Sequence, residues 1–125
     1  MAIIRATEAP KFQLPGFTFT GLLSPSRGAT EICTWLIEIE PGAHGQAHWL
    51  DHEEIFVVLA GTMTGSVNNE AFELHVGDAM SLPAHALFDP SNTDTEPALV
   101  MACLPVGAKG TAADGRELGV PPWVK

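Results

Sequence analysis

Three histidines and three acidic residues fall within twenty-one positions of the chain, in the segment Pro41 to Gly61, PGAHGQAHWLDHEEIFVVLAG. Imidazoles and carboxylates at short spacing suit two kinds of chemistry. They can hold a divalent transition metal, or they can move protons as a general acid and base. Spacing sorts the candidates. Side chains on a strand alternate with period two, so His48, His52 and Glu54 share a parity. His44 lies four residues before His48, about 13 Å along a strand, too far to share a metal without a bulge. His52 is flanked by Asp51 and Glu53 in a polar turn, where it either faces solvent or joins His48 and Glu54 as a third metal ligand. His85 follows Pro83-Ala84, and a bend there frees it from strand parity, so it is a candidate helper from a distant part of the chain. His75, in AFELHVGD, reads as an exposed strand residue. The string His52-Glu53-Glu54-Ile55-Phe56 opens like a zinc-protease motif but has neither the second histidine nor a helical pattern.

Short β-strands must position these groups. TEICTWLIEIE, Thr30 to Glu40, alternates Cys33, Trp35, Ile37 and Ile39 against Thr34 and Glu38, and Pro41-Gly42 ends it in a turn. Strands are expected at 43–50, 54–60, 62–67, 71–76, 79–82 and 98–104, with Asn68-Asn69 as a hairpin turn. Residues 89–97 read as a polar connection. Residues 1–29 form a loop-rich arm with β-prone pieces such as FTFT, and residues 105–125 form a Gly/Pro-rich tail with one helical turn. No segment shows a clean helical period. Short strands divided by Gly and Pro turns indicate an all-β barrel or sandwich, and the length suits one domain. The strand 54–60 is apolar on both faces, with Phe56 and Val58 on one and Ile55, Val57 and Leu59 on the other. One face lines the interior; the other needs a cover, and a second copy of the chain is the expected one, with a loop or the tail as the alternative.

Charge narrows the partners. The net charge is −9, and no Lys or Arg occurs between Gly28 and Ala108. Phosphate or sugar-nucleotide recognition draws on such cations, and nucleic-acid binding needs a basic footprint, so neither is expected. No apolar run nears the roughly 18 residues that span a bilayer, and the first residues lack a secretory pattern, so a cytoplasmic location is expected. Cys33 and Cys103 are the only cysteines, lie in apolar segments, and read as reduced buried thiols.

The spacing of Gly42, His48, Leu50, Glu54 and Gly61 resembles the first motif of the cupins, G-x5-H-x-H-x3-E-x6-G, with Leu50 in place of the second histidine. Gly77, Pro83, His85, Phe88 and Asn92 resemble the second, G-x5-P-x-G-x2-H-x3-N, with His85 for the inner glycine and Phe88 for the histidine. The resemblance covers roughly residues 30 to 104. It implies a double-stranded β-helix, the cupin or jelly-roll barrel, built as a small bacterial-type single domain. It also implies a metal held by three histidines and a glutamate, of which this chain keeps His48 and Glu54. Zn, Fe, Mn or Ni at reduced occupancy therefore requires His52 or His85 as a substitute ligand.

Two functional readings stay open on this basis. In one, His48 and Glu54, with His85 as helper, perform acid–base catalysis of an isomerase, cyclase or lyase type. The substrate is small and mostly apolar, and Trp49, Leu50, Phe56, Val58 and Phe88 line its site. In the other, the pair is structural and the barrel is a ligand-binding or sensor module that has lost its metal. The chain has no tyrosine, so the His–Tyr pair of metal-free sugar-nucleotide epimerase cupins is not available.

Overall fold

A computed structural model describes all of residues 1–125. Its backbone forms twelve strands and two short 3-10 turns. The strands are β1 Lys11–Leu14, β2 Phe17–Leu23, β3 Ile32–Ile39, β4 His48–Leu50, β5 Glu54–Ala60 and β6 Met63–Val67. They continue with β7 Glu70–Leu74, β8 Ala79–Leu82, β9 Phe88–Ser91, β10 Ala98–Pro105, β11 Gly110–Ala112 and β12 Glu117–Gly119. All pairings are antiparallel, in two six-stranded sheets ordered β1-β2-β3-β10-β5-β8 and β12-β11-β4-β9-β6-β7. The sheets face each other as a jelly-roll barrel. No helix is long and apolar enough to cross a membrane.

The alternation legible in the sequence builds the interior. Cys33, Trp35, Ile37 and Ile39 of β3 and Ala98, Val100, Ala102 and Leu104 of β10 point inward, register against each other, and are buried. Phe17 and Phe19 of β2, with Phe56 and Val58 of β5, extend this layer. The hairpin at Asn68-Asn69 forms with both residues at positive φ, 50° and 66°, the backbone of a type I′ turn. Gly61 ends β5 at φ +71°, and a Cβ there would press into the backbone of Pro97 and Ala98. That turn accepts only glycine.

Three expectations change. Of the expected strand 43–50 only His48–Leu50 pairs continuously; His44 makes an isolated bridge to Ser91. Gly45 between them is wedged against Pro90 and the Phe17 ring. The segment expected as a polar connection begins as strand β9, pairing His48 with Phe88 on one side and Gly65 with Pro90 on the other. Its Asp-Pro-Ser composition hides a strand whose missing amide at Pro90 costs the ladder one donor. The arm and tail are also more regular than expected. β1 and β2 extend the first sheet, β11 and β12 extend the second, and the helical turn of the tail is a 3-10 turn at Pro122–Val124.

Hydrogen bonds dock the tail. The Arg27 side chain donates to the carbonyls of Leu22 and Trp123, both at 2.9 Å. The hydroxyls of Ser24 and Ser26 both donate to a Lys125 backbone oxygen at 2.7 Å. Cys33 is buried and its thiol points at the Val124 carbonyl, whereas Cys103 is half-buried; both are free thiols. Asn92 is buried, and its amide donates to the carbonyls of Ile39 and Glu96, so this motif residue ties the end of β3 to the loop before β10. On the outside of the first sheet, Leu36, Ile55, Val57, Leu99 and Met101 lie side by side and half-buried, with Leu59 exposed beyond them. The outside of the second sheet carries Thr64, Ser66, Asp89 and Ser91 instead.

Candidate functional site

A cavity of about 350 Å³ opens inside the barrel. Its walls are largely aromatic: Phe17 and Phe19 from β2, Trp35 from β3, Phe56 from β5, Phe88 from β9 and Trp123 from the tail. Besides the indoles of Trp35 and Trp123, the polar side chains that line it are those of Gln46, His48 and Glu54, and no Lys or Arg lines it. His48 and Glu54 therefore reach one cavity from opposite sheets, β4 and β5.

Glu54 begins β5 with its side chain turned inward by the same alternation that buries Phe56 and Val58. It is 5% exposed and makes no hydrogen bond, and burial raises its pKa from 4.5 to about 8. The carboxyl is thus neutral at pH 7, a hydrogen-bond donor at the cavity wall. His48 is half-buried, and its Nδ1 lies 2.7 Å from the Gln46 carbonyl oxygen. A carbonyl only accepts, so Nδ1 carries the proton, and in the neutral ring Nε2 keeps its lone pair. Phe88 packs edge-on to the imidazole, with centroids 5.8 Å apart, and lies 5.2 Å from Phe56. One wall group offers a proton and the other can accept one.

The remaining candidates divide. Leu50, Phe56 and Phe88 line the cavity. Val58 is buried but packs in the core without reaching the cavity, and Trp49 projects from the other side of β4. His52 is exposed and pairs with Asp51 at 2.7 Å. Asp51 also accepts the Lys109 amide, which holds its carboxyl below the usual range, so the turn braces the tail rather than the cavity. His85 is exposed at φ +65°, with its amide donating to the Leu50 carbonyl, and does not line the cavity. The structure does not bring His52 or His85 to His48 and Glu54. No three His, Cys, Asp or Glu side chains group as a metal site. The two donors supplied by His48 and Glu54 do not make a shell for Zn, Fe, Mn or Ni, because Leu50 and Phe88 have no lone pair to give.

Sequence reading missed Phe17, Phe19, Trp35 and Trp123 as cavity residues. Trp35 had the inward parity; its neighbourhood depended on the tail. Trp123 stacks flat on Phe19, with centroids 3.8 Å apart and 6° between planes, a contact across more than a hundred residues.

Residues 35–104 match the family model of the cupin domain. No curated protein matches the chain in sequence. Among solved structures, the chain is similar to the polyketide cyclase RemF from Streptomyces resistomycificus, with TM-score 0.75, 17% identity, and coverage of 98% of this chain and 88% of that one. It is also similar to a sugar phosphate isomerase of the cupin superfamily from Silicibacter pomeroyi, with TM-score 0.65, 19% identity and coverage of 80% and 67%. A third is Lactobacillus farciminis oxalate decarboxylase in complex with formate, with TM-score 0.74, 18% identity and coverage of 86% of this chain but 34% of that one. At such identities these likenesses speak for the fold alone. The family match spans more than half of the chain and both ends of its barrel motif pair, and the chain belongs to the cupins.

Proposed function

We propose that the protein is a cupin enzyme of isomerase, cyclase or lyase type, acting by acid–base chemistry on a small, neutral, mostly apolar substrate. The observation that carries this reading is the Glu54 carboxyl, buried without a partner at the wall of the cavity that His48 also lines. Leaving a carboxyl unpaired in an apolar site costs stability, which structure alone does not require. The proposed step is enolisation. His48 Nε2 takes a proton from the carbon beside a carbonyl, the C–H electron pair becomes the C=C bond, and the carbonyl oxygen receives the Glu54 proton. Return of a proton to another carbon isomerises the substrate; attack of the enol carbon on a second carbonyl closes a ring. Sugar phosphate and oxalate, named for two of the similar structures, are anions, and a cavity without Lys or Arg does not suit them. A polyketide, named for the third, is a carbon chain bearing ketones and suits it better.

The test is deuterium exchange at the α-carbon of a neutral bicyclic ketone such as 2-tetralone in deuterium oxide. Wild type should accelerate exchange over buffer, and His48→Ala and Glu54→Gln should each remove most of the acceleration. A wild type no faster than buffer, or full activity in both variants, refutes the reading. The alternative, a binding or sensor cupin, is favoured by Leu50 and Phe88, which turn coordination positions into packing surface. In that case the ketone binds without exchange. We further propose that the protein is cytoplasmic and that a second copy covers the outer face of the first sheet, in keeping with the apolar residues Leu36, Ile55, Val57, Leu99 and Met101, which have Glu38 at their edge.

A further inference from the structure

The site's aromatic walls and its unpaired donors limit the substrate more narrowly than neutrality does. We propose that the cavity takes a planar, neutral aromatic ligand of two or three fused rings carrying hydrogen-bond acceptor oxygens. This rests on the acid–base reading only in using the same cavity.

Three independent features support it. The first is shape and surface. Phe19 and Trp123 form a flat stacked pair, and Phe56, Phe88 and Trp35 supply further ring faces around about 350 Å³. That space is near the lower end of ligand pockets, about a dozen waters' worth, and flat rings make more contact with aromatic walls than branched chains do. The second is donor chemistry. The Glu54 carboxyl is unpaired at the cavity wall, and Trp35 Nε1 and Trp123 Nε1 are buried without a partner on two residues that line the same cavity. Buried polar groups are paired in the great majority of cases, so the unpaired Glu54 carboxyl at the cavity points to an acceptor brought by a ligand. Neither indole nitrogen is exposed at the cavity surface, so the Glu54 carboxyl is the group a ligand oxygen meets directly. The third is charge: Glu54 is the one acidic side chain at the cavity, and no cation there answers an anionic ligand.

Four matched probes test the three parts, with affinities measured by calorimetry on the wild-type protein. 2-Acetylnaphthalene is neutral, planar and bears an acceptor. 2-Naphthoate replaces the acetyl by a carboxylate of similar shape. 2-Isopropenylnaphthalene keeps the shape and removes the acceptor. The decahydro form of the acetyl compound removes planarity. The ketone is expected to bind tightest. The carboxylate should be weaker by at least about a hundredfold, from the cost of burying an uncompensated charge. The isopropenyl compound should be weaker by about three- to tenfold, from the lost hydrogen bonds. The saturated compound should be weaker by about fivefold, from the lost ring–ring contacts. Equal affinity for the ketone and any one of the other three overturns the corresponding part, and no binding of any probe overturns the whole. Trp123→Leu should erase the preference for the planar ketone over its saturated form, and Phe19→Leu serves as a second variant if that one is unstable. Binding in the expected order without α-deuterium exchange supports this inference and sinks the acid–base reading. Exchange of 2-tetralone with equal affinity for all four probes does the reverse.

Discussion

Replacing Glu54 by Gln should make the protein more stable at neutral pH and leave it nearly unchanged at acid pH. Burial raises the carboxyl pKa in the folded protein from 4.5 to about 8. Below the unfolded value both states are protonated and the group contributes nothing to the pH dependence. As pH climbs past it, the unfolded chain ionises while the folded carboxyl stays neutral, so folding loses stability until the folded group ionises as well. Each pH unit in that window is worth about 1.4 kcal/mol, so the full loss is on the order of 5 kcal/mol, and more than half of it is present at pH 7. Gln has the shape of the protonated acid and does not titrate. Urea unfolding of wild type and Glu54→Gln at pH 5, 6, 7 and 8, followed by the fluorescence of the three tryptophans, isolates the effect. All other titrating groups cancel in the difference. The variant should match wild type within about 1 kcal/mol at pH 5 and exceed it by several kcal/mol at pH 8. A difference flat with pH, or a wild type that gains on the variant as pH rises, refutes the neutral buried carboxyl and the acid role built on it.

Three further outcomes follow from the packing. Leu50→His combined with Phe88→His should create a four-donor set with His48 and Glu54, since Leu50 follows His48 at strand period two and Phe88 pairs opposite it. The double variant should bind one zinc per chain by calorimetry, and failure to gain binding would show that the side chains do not converge. Gly61→Ala should cost at least about 2 kcal/mol in urea unfolding, from a left-handed backbone and the clash with Pro97. A loss below about 0.5 kcal/mol would mean the turn relaxes freely. Val57→Lys, in the middle of the outer apolar face, should convert a dimer to monomer in sedimentation without changing the cavity; a monomeric wild type refutes the proposed self-association.

How far the sequence could be read depended on the range of the forces involved. Period-two alternation in TEICTWLIEIE is a local signal, and the structure returns it as the inward row of β3. The uniformly apolar 98–104 is legible as a strand, but which of its faces turns inward is set by pairing with β3 and β5. The inward turn of Glu54 follows from the same rule. The signal fails where composition and pairing disagree: Phe88-Asp89-Pro90-Ser91 looks like a connection, yet two neighbours, β4 and β6, hold it extended. His52 fails for a related reason. It has the right parity, but Asp51 is engaged by the Lys109 amide and draws His52 to the surface, and parity carries no information once a strand has ended. The aromatic walls were least legible. Phe19 and Trp123 meet only because the tail docks beside β2 through Arg27, Ser24 and Ser26, and no spacing rule spans that distance.

The docked tail separates two demands that a barrel usually forces together. Trp35, Glu54 and Phe56 belong to central strands, where any change of volume is felt by the whole core. Leu118, Pro121, Pro122 and Trp123 shape the same cavity from a segment held at one edge by a three-residue strand and by a few side-chain hydrogen bonds. Substitutions there can reshape the pocket while leaving the sheets intact, so new ligand preferences can be acquired at small cost in folding stability. In a library that randomises this segment alone, altered selectivity should appear among variants that still fold, whereas a library of the same size in β3 or β5 should be dominated by unfolded chains.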